Sequence, residues 1–182
     1  FEIFSFELRQ GYSFDRAQPL QRSRDGSITS QESGIAARMR FNPSRDFTLD
    51  GRAVWSTLFD GLASTSVSAG ADFGRVDLDL TWFTRYDPEL GEKESDQARL
   101  SARLEILPRR LQLAANVNYN IETSQVQQQR YFLSWTSQCW SAVLEAREQV
   151  TASYTSRDYR FLLNLKNIGT FLDLNGGEAT DR

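Results

Sequence analysis

Histidine is missing from this chain, and cysteine occurs once, as Cys139. Without an imidazole there is no candidate for Ser–His–Asp hydrolysis, for Cys–His proteolysis or for a His-ligated metal site. Lysine is scarce too: nineteen arginines stand against Lys93 and Lys166. Arginine makes bidentate contacts with carboxylate and phosphate and tolerates partial burial better than lysine. The bias suits a wet interior crossed by Arg–Asp and Arg–Glu pairs; codon composition gives the same bias, and both readings stay open. No stretch approaches the roughly 18 apolar residues of a membrane-spanning helix. The formal charge of -3 is too small to argue for nucleic acid.

What the chain does have is alternation. In Val76-Asp77-Leu78-Asp79-Leu80-Thr81-Trp82 every second residue is apolar. That is the period of a strand with one flank in an apolar medium and the other in water. Ten segments share it, over about 2–14, 33–41, 47–58, 63–73, 76–85, 97–107, 111–121, 130–135, 139–148 and 158–168. Their connections alternate in length. Short turns fall at 42–46, 74–75, 108–110 and 136–138, with longer loops between them, among them Asp15 to Glu32, Tyr86 to Asp96 and 122–128. Most of these segments are near the length that crosses a bilayer at a tilt. Together the features predict an all-β fold, an antiparallel transmembrane β-barrel segment of about ten strands with short periplasmic turns and longer extracellular loops. The mean hydropathy of -0.51 fits, because half of each strand would face a wet lumen. A soluble β-sandwich with aromatics in its core has the same period but seldom alternates turn length so regularly.

The aromatic residues agree in part. Trp55, Trp82 and Tyr119 fall at the long-loop ends, Trp135 and Trp140 at the short-turn ends, as two interfacial girdles require. On the other flank Arg38, Arg40, Asp50, Arg52, Asp77, Asp79, Arg99, Arg103, Glu105, Glu145 and Arg147 are expected to face the lumen, mostly in cross-strand pairs. Carboxylates two apart, such as Asp77 and Asp79, are ordinary on such a face, so neither an enzyme nor a cofactor is expected. The chain opens on Phe1-Glu2-Ile3-Phe4, with no Met and no signal peptide. An exported barrel needs such a signal, so the chain reads as a piece of a longer one. Residues 1–169 would hold the strands and 170–182 a polar tail that frays.

From Tyr131 onward the residues resemble a known family. Tyr131-Phe132-Leu133-Ser134-Trp135-Thr136-Ser137-Gln138-Cys139-Trp140-Ser141, then Leu144-Glu145-Ala146-Arg147, and finally Arg160-Phe161-Leu162-Leu163-Asn164-Leu165-Lys166-Asn167-Ile168-Gly169, are similar to the end of the lipopolysaccharide-assembly outer-membrane protein family, LptD. The opening Phe4-Ser5-Phe6-Glu7-Leu8-Arg9-Gln10-Gly11-Tyr12-Ser13-Phe14 resembles another strand of the same barrel. The Cys-Trp turn is moderately specific; the strand patterns alone are weak.

This resemblance implies the carboxyl-terminal strands of a large barrel in the outer membrane of a Gram-negative bacterium. It also implies partners: lipopolysaccharide, a lipoprotein plug (LptE) in the lumen, membrane lipids, and a periplasmic transport bridge reached through an amino-terminal domain. Substrate leaves sideways between the first and last strands. The segment 158–168 would then be the last strand and one side of the gate, with Tyr159, Phe161, Leu163 and Leu165 on its apolar flank. Family members pair the turn cysteine with one in the periplasmic domain, so Cys139 is expected to form a disulfide outside this segment, in a compartment where such bonds persist. Many relatives carry two adjacent cysteines, whereas Gln138 precedes Cys139 here, so at most one such bond can form. The competing reading is a complete ten-stranded barrel, a pore or adhesin, in which 2–14 pairs with 158–168.

Overall fold

The computed structural model describes residues 2–15, 21–22, 29–151 and 153–181. Every strand or helix among them is a β-strand: β1 (Phe4–Arg9), β2 (Gln21–Arg22), β3 (Thr29–Ser30), β4 (Ile35–Phe41), β5 (Phe47–Ser56), β6 (Gly61–Asp72), β7 (Val76–Tyr86), β8 (Lys93–Leu107), β9 (Leu111–Asn120), β10 (Gln125–Thr136), β11 (Trp140–Val150), β12 (Tyr154–Leu165) and β13 (Gly169–Asp181). Eleven of them make one antiparallel sheet in the order β1-β4-β5-β6-β7-β8-β9-β10-β11-β12-β13. β2 and β3 pair separately as a two-stranded ribbon. Of the loop expected at Asp15 to Glu32, Pro19, Asp25 and Gly26 lie outside the described residues. Contacts group the chain into two compact units, residues 1–69 with 81–97 and residues 70–80 with 98–182.

The ten expected strands correspond to β1 and β4 to β12. Three expectations need correction. The stretch 170–182, expected to fray, supplies most of β13, which pairs along β12 from Leu165↔Gly169 to Tyr154↔Asp181. The segment 158–168 is therefore not the last strand: β12 is paired on both sides, with β11 and with β13. The segment 2–14 pairs through β1 with β4, and 158–168 pairs with β11 and β13, so among the described residues the pairing of 2–14 with 158–168 that a small closed barrel demands is not made.

The long loops shrink for one shared reason. Polar residues that carry no apolar period still pair their backbones, because ladder hydrogen bonds ignore side-chain polarity. β8 begins at Lys93, β10 at Gln125 and β12 at Tyr154, which leaves connections of 87–92, 121–124 and 151–153. Turn chemistry closes the hairpins. Gly74 sits at φ 76°, its amide bound to the Asp72 carboxylate at 2.6 Å. Asn167 (φ 71°) and Gly169 (φ 101°) turn β12 into β13, two residue types that tolerate the left-handed region.

Among the described residues no hydrophobic side chain is buried. A sandwich would interdigitate two apolar faces in a core about 10 Å thick. Here Leu80 is 51% exposed and Leu144 50%, so no second layer covers them.

Candidate functional site

The candidate site is the pair of faces that alternation creates. In the amino-terminal unit, register sets like beside like: Phe4↔Phe41, Phe6↔Met39 and Leu8↔Ala37 lie on one face, with Ser5↔Arg40 and Glu7↔Arg38 on the other. β5 continues both faces, with Ala37↔Ala53 and Phe41↔Leu49 against Arg38↔Arg52 and Arg40↔Asp50. In the carboxyl-terminal unit, Leu113, Leu133, Leu144, Phe161 and Leu174 occupy successive strands of one apolar row. A one-residue slip of β11, β12 or β13 in one direction would put Glu145, Arg160 or Asp173 into that row, so the pattern favours the observed register.

The apolar face ends in polar anchors. Trp55 donates its indole N–H to Asp60 at 3.2 Å, and Trp82 donates to Asp96 at 2.8 Å. Asp96 is 7% exposed and also accepts from Thr84 at 3.0 Å and Lys93 at 3.1 Å. Burial works to raise its pKa. The bonds from Trp82, Lys93 and Thr84, with the Lys93 charge, outweigh that and hold the carboxyl below its ordinary value. Asp96 lies beyond the apolar stretch of β8, on the loop side of Gln97. On β10 to β13 the face changes character along one row, where Gln129, Glu148, Arg157 and Glu178 are successive register partners. Gln129 donates to Glu148, which accepts from Arg157 at 3.3 Å. At the opposite end, Trp135 and Trp140 flank the 137–139 turn, more than a third exposed.

The expected inward charges share the polar face, and many are paired. Asp50 accepts from Arg40 at 3.0 Å and from Arg38 at 3.4 Å. Arg103 meets Asp77 at 3.7 Å, Arg99 bonds Asn118 at 2.8 Å, and Glu105 accepts from Gln112 at 3.0 Å. Glu145 pairs with Arg130 at 3.3 Å, and Arg147 donates to Gln149 at 2.6 Å. Asp79 is exposed. Arg52 has no side-chain hydrogen bond or ion pair with any described residue.

Two groups escape a sequence reading. The Arg160–Asp173 pair, at 2.6 Å, joins β12 to β13, and Asp173 lies in the stretch that reads as tail. In the row of Gln129, Glu148 and Arg157, Gln129 and Arg157 fall one residue outside the expected strands and Glu148 ends one; the period of two running from Leu144 and Ala146 to Glu148 is the signal that could have found it.

Tyr159, Phe161, Leu163 and Leu165 do share the apolar face of β12, but their neighbours are Gly176, Leu174, Leu172 and Gly169 of β13 rather than an open edge. Cys139 closes the 137–139 turn with an exposed free thiol, its carbonyl accepting from the Lys166 amide at 2.9 Å. Trp55, Tyr119, Trp135 and Trp140 are exposed and Trp82 is half-buried. No family model matches the chain, and no curated protein matches it.

Proposed function

We propose that this chain is part of the wall of a Gram-negative outer-membrane β-barrel that inserts lipopolysaccharide into the outer leaflet. The observation that carries the membrane reading is the uncovered apolar face: large hydrophobic side chains stand exposed on one face of the sheet, and no apolar core exists among the described residues. Such a surface is far larger than a water-soluble monomer exposes. Hydrocarbon against that face and water against the charged face satisfy both.

The assembly role rests on the resemblance of 131–147 and 160–169 to the LptD family. Under it, this sheet is one portion of a larger barrel, and further strands meet the edges β1 and β13. Lipopolysaccharide would pass beside β13, the plug lipoprotein would contact the charged face, and Cys139 would link the turn to a periplasmic domain that meets the transport bridge. No catalytic step is required of the chain.

Insertion of the full chain into phospholipid vesicles tests the membrane reading. Brominated acyl chains should quench its tryptophan fluorescence, and the chain should resist extraction by alkaline carbonate. Fluorescence indifferent to bromination, with the chain released into buffer, would end it. For the assembly role, Cys139→Ser in the longest natural form should abolish a mobility shift in non-reducing electrophoresis; identical mobility would remove the link.

A further inference from the structure

The polar face of the amino-terminal unit holds a concavity of about 310 Å³, with Glu7, Arg9, Arg38, Asp50, Arg52 and Ser66 among the residues lining it. Its charges do not balance. Glu7 is occupied by Arg9 at 2.5 Å. A single oxygen of Asp50 serves both Arg38, at 3.4 Å, and Arg40, at 3.0 Å. Arg52 has no acidic partner among the described residues, yet the register sets it directly across from Arg38. Like charges directly opposite on an antiparallel pair repel and destabilise. The lining thus holds three guanidinium groups, Arg9, Arg38 and Arg52, against two carboxylates, one of which is shared with Arg40 outside the lining, and Arg52 is the arginine left without an acidic partner among the described residues.

A second concavity, on β11 to β13, is the internal contrast. It is lined by Glu145, Arg147, Asp158 and Arg160, two charges of each sign. The surplus is therefore local to the first bay and is not a property of the whole polar face.

From this we infer that the Arg38–Arg52 bay binds a phosphate group carrying two negative charges, as inorganic phosphate or as the phosphate of a sugar. A dianion matches the surplus of two that remains when Arg40, bonded to Asp50, is counted with the lining residues. Guanidinium forks match the oxygen spacing of phosphate and bond it bidentately, and the Ser66 hydroxyl adds a neutral donor on the same wall. The bay does not depend on what the apolar face meets, so it stands or falls separately from the membrane reading.

The test uses the full chain folded in dodecyl maltoside, whose headgroup carries no phosphate. The probes are inorganic phosphate, pyrophosphate and glucose 1-phosphate, followed by ³¹P NMR line broadening and by thermal melting. Wild type should broaden the phosphate resonances and melt higher as phosphate is added. Arg52→Gln and Arg38→Gln should each weaken binding about tenfold or more, the loss of a charge-assisted bond. Arg147→Gln, in the balanced bay, should bind as wild type does, and Arg52→Lys should retain part of the affinity as charge without the fork. Tighter binding of glucose 1-phosphate than of inorganic phosphate assigns the site to sugar-borne phosphate, and the reverse to the free ion; either supports the inference. Without phosphate, Arg52→Gln should melt slightly higher than wild type, because a repulsion is gone. Equal binding by wild type and Arg52→Gln would overturn the inference, as would an equal loss in Arg147→Gln. A lower melting point of Arg52→Gln in phosphate-free buffer would also overturn it, by making Arg52 a structural residue.

Discussion

Asp96 gathers three donors on one side chain: the Trp82 indole, the Thr84 hydroxyl and the Lys93 ammonium. Those bonds favour the ionised form, which is why the carboxyl sits below its ordinary value although burial opposes it. A depressed folded-state pKa contributes stability that is fully present above the unfolded value, about 3.9, and is lost as pH falls through the folded one. Wild type should therefore be more stable than Asp96→Asn at neutral pH and lose that advantage below about pH 4. Melting curves of both proteins across pH 3 to 7 check this; a gap that is constant with pH would show that the charge is irrelevant. A second residue-scale expectation concerns glycine. A Cβ on Gly34 would lie 2.7 Å from the Trp55 carbonyl oxygen, whereas one on Gly51 meets nothing closer than the mobile end of Met39 at 3.8 Å. Gly34→Ala should cost about 1–3 kcal/mol by overpacking against backbone, and Gly51→Ala close to nothing. Denaturant midpoints of the two variants separate the cases, and equal midpoints would refute the distinction.

β13 shows where an element is held and why it was hard to read. Beyond its ladder to β12, its polar-face ties include the Arg160–Asp173 pair and the Thr170 hydroxyl bond to Asn164 at 2.9 Å. Arg160→Gln should speed amide hydrogen exchange in β13 and in the facing residues of β12 while leaving β9 and β10 unchanged; uniform exchange would place the pair outside the strand's stability. Such exposed pairs contribute little to global stability, so the effect belongs to the edge. Sequence contrast explains what was legible. Val76 to Trp82 reads as a strand because Asp and Leu differ so sharply in hydration. Gln125 to Gln129 has no such contrast, yet its backbone pairs with β9 around a bulge at 126–128. In β13, Leu172, Asp173, Leu174 and Asn175 do alternate. Phe171 breaks the period, however, because the register shifts beside Leu163 and Asn164, and Gly176-Gly177 reads as a tail. The faces were legible residue by residue, since a period of two settles them. The surplus of charge at Arg52 was not, because it depends on which strands pair and in what register.

For the whole molecule, the polar row of Gln129, Glu148, Arg157 and Glu178 and the Trp135–Trp140 pair mark the two limits of the apolar face on the carboxyl-terminal strands. With that face in a bilayer, charge placed between the limits should cost much more than charge at them. Leu144→Arg, at mid-height, should lose about 2–4 kcal/mol of folding free energy in vesicles, and Ala146→Arg, one step below the row, less. Reversible unfolding in urea from lipid vesicles measures both, and equal losses would mean that the face has no depth. The row has one more consequence. A hull floats at the level where its paint changes, and in a bilayer this face would have its waterline fixed by covalent sequence. Sinking by one pleat, about 7 Å along the strand, would submerge Glu148 and Arg157, and rising by one would lift Trp135 and Trp140 clear. Neighbouring strands share the line, so in a bilayer they could not shift draught one at a time; the sheet would keep its depth as a unit.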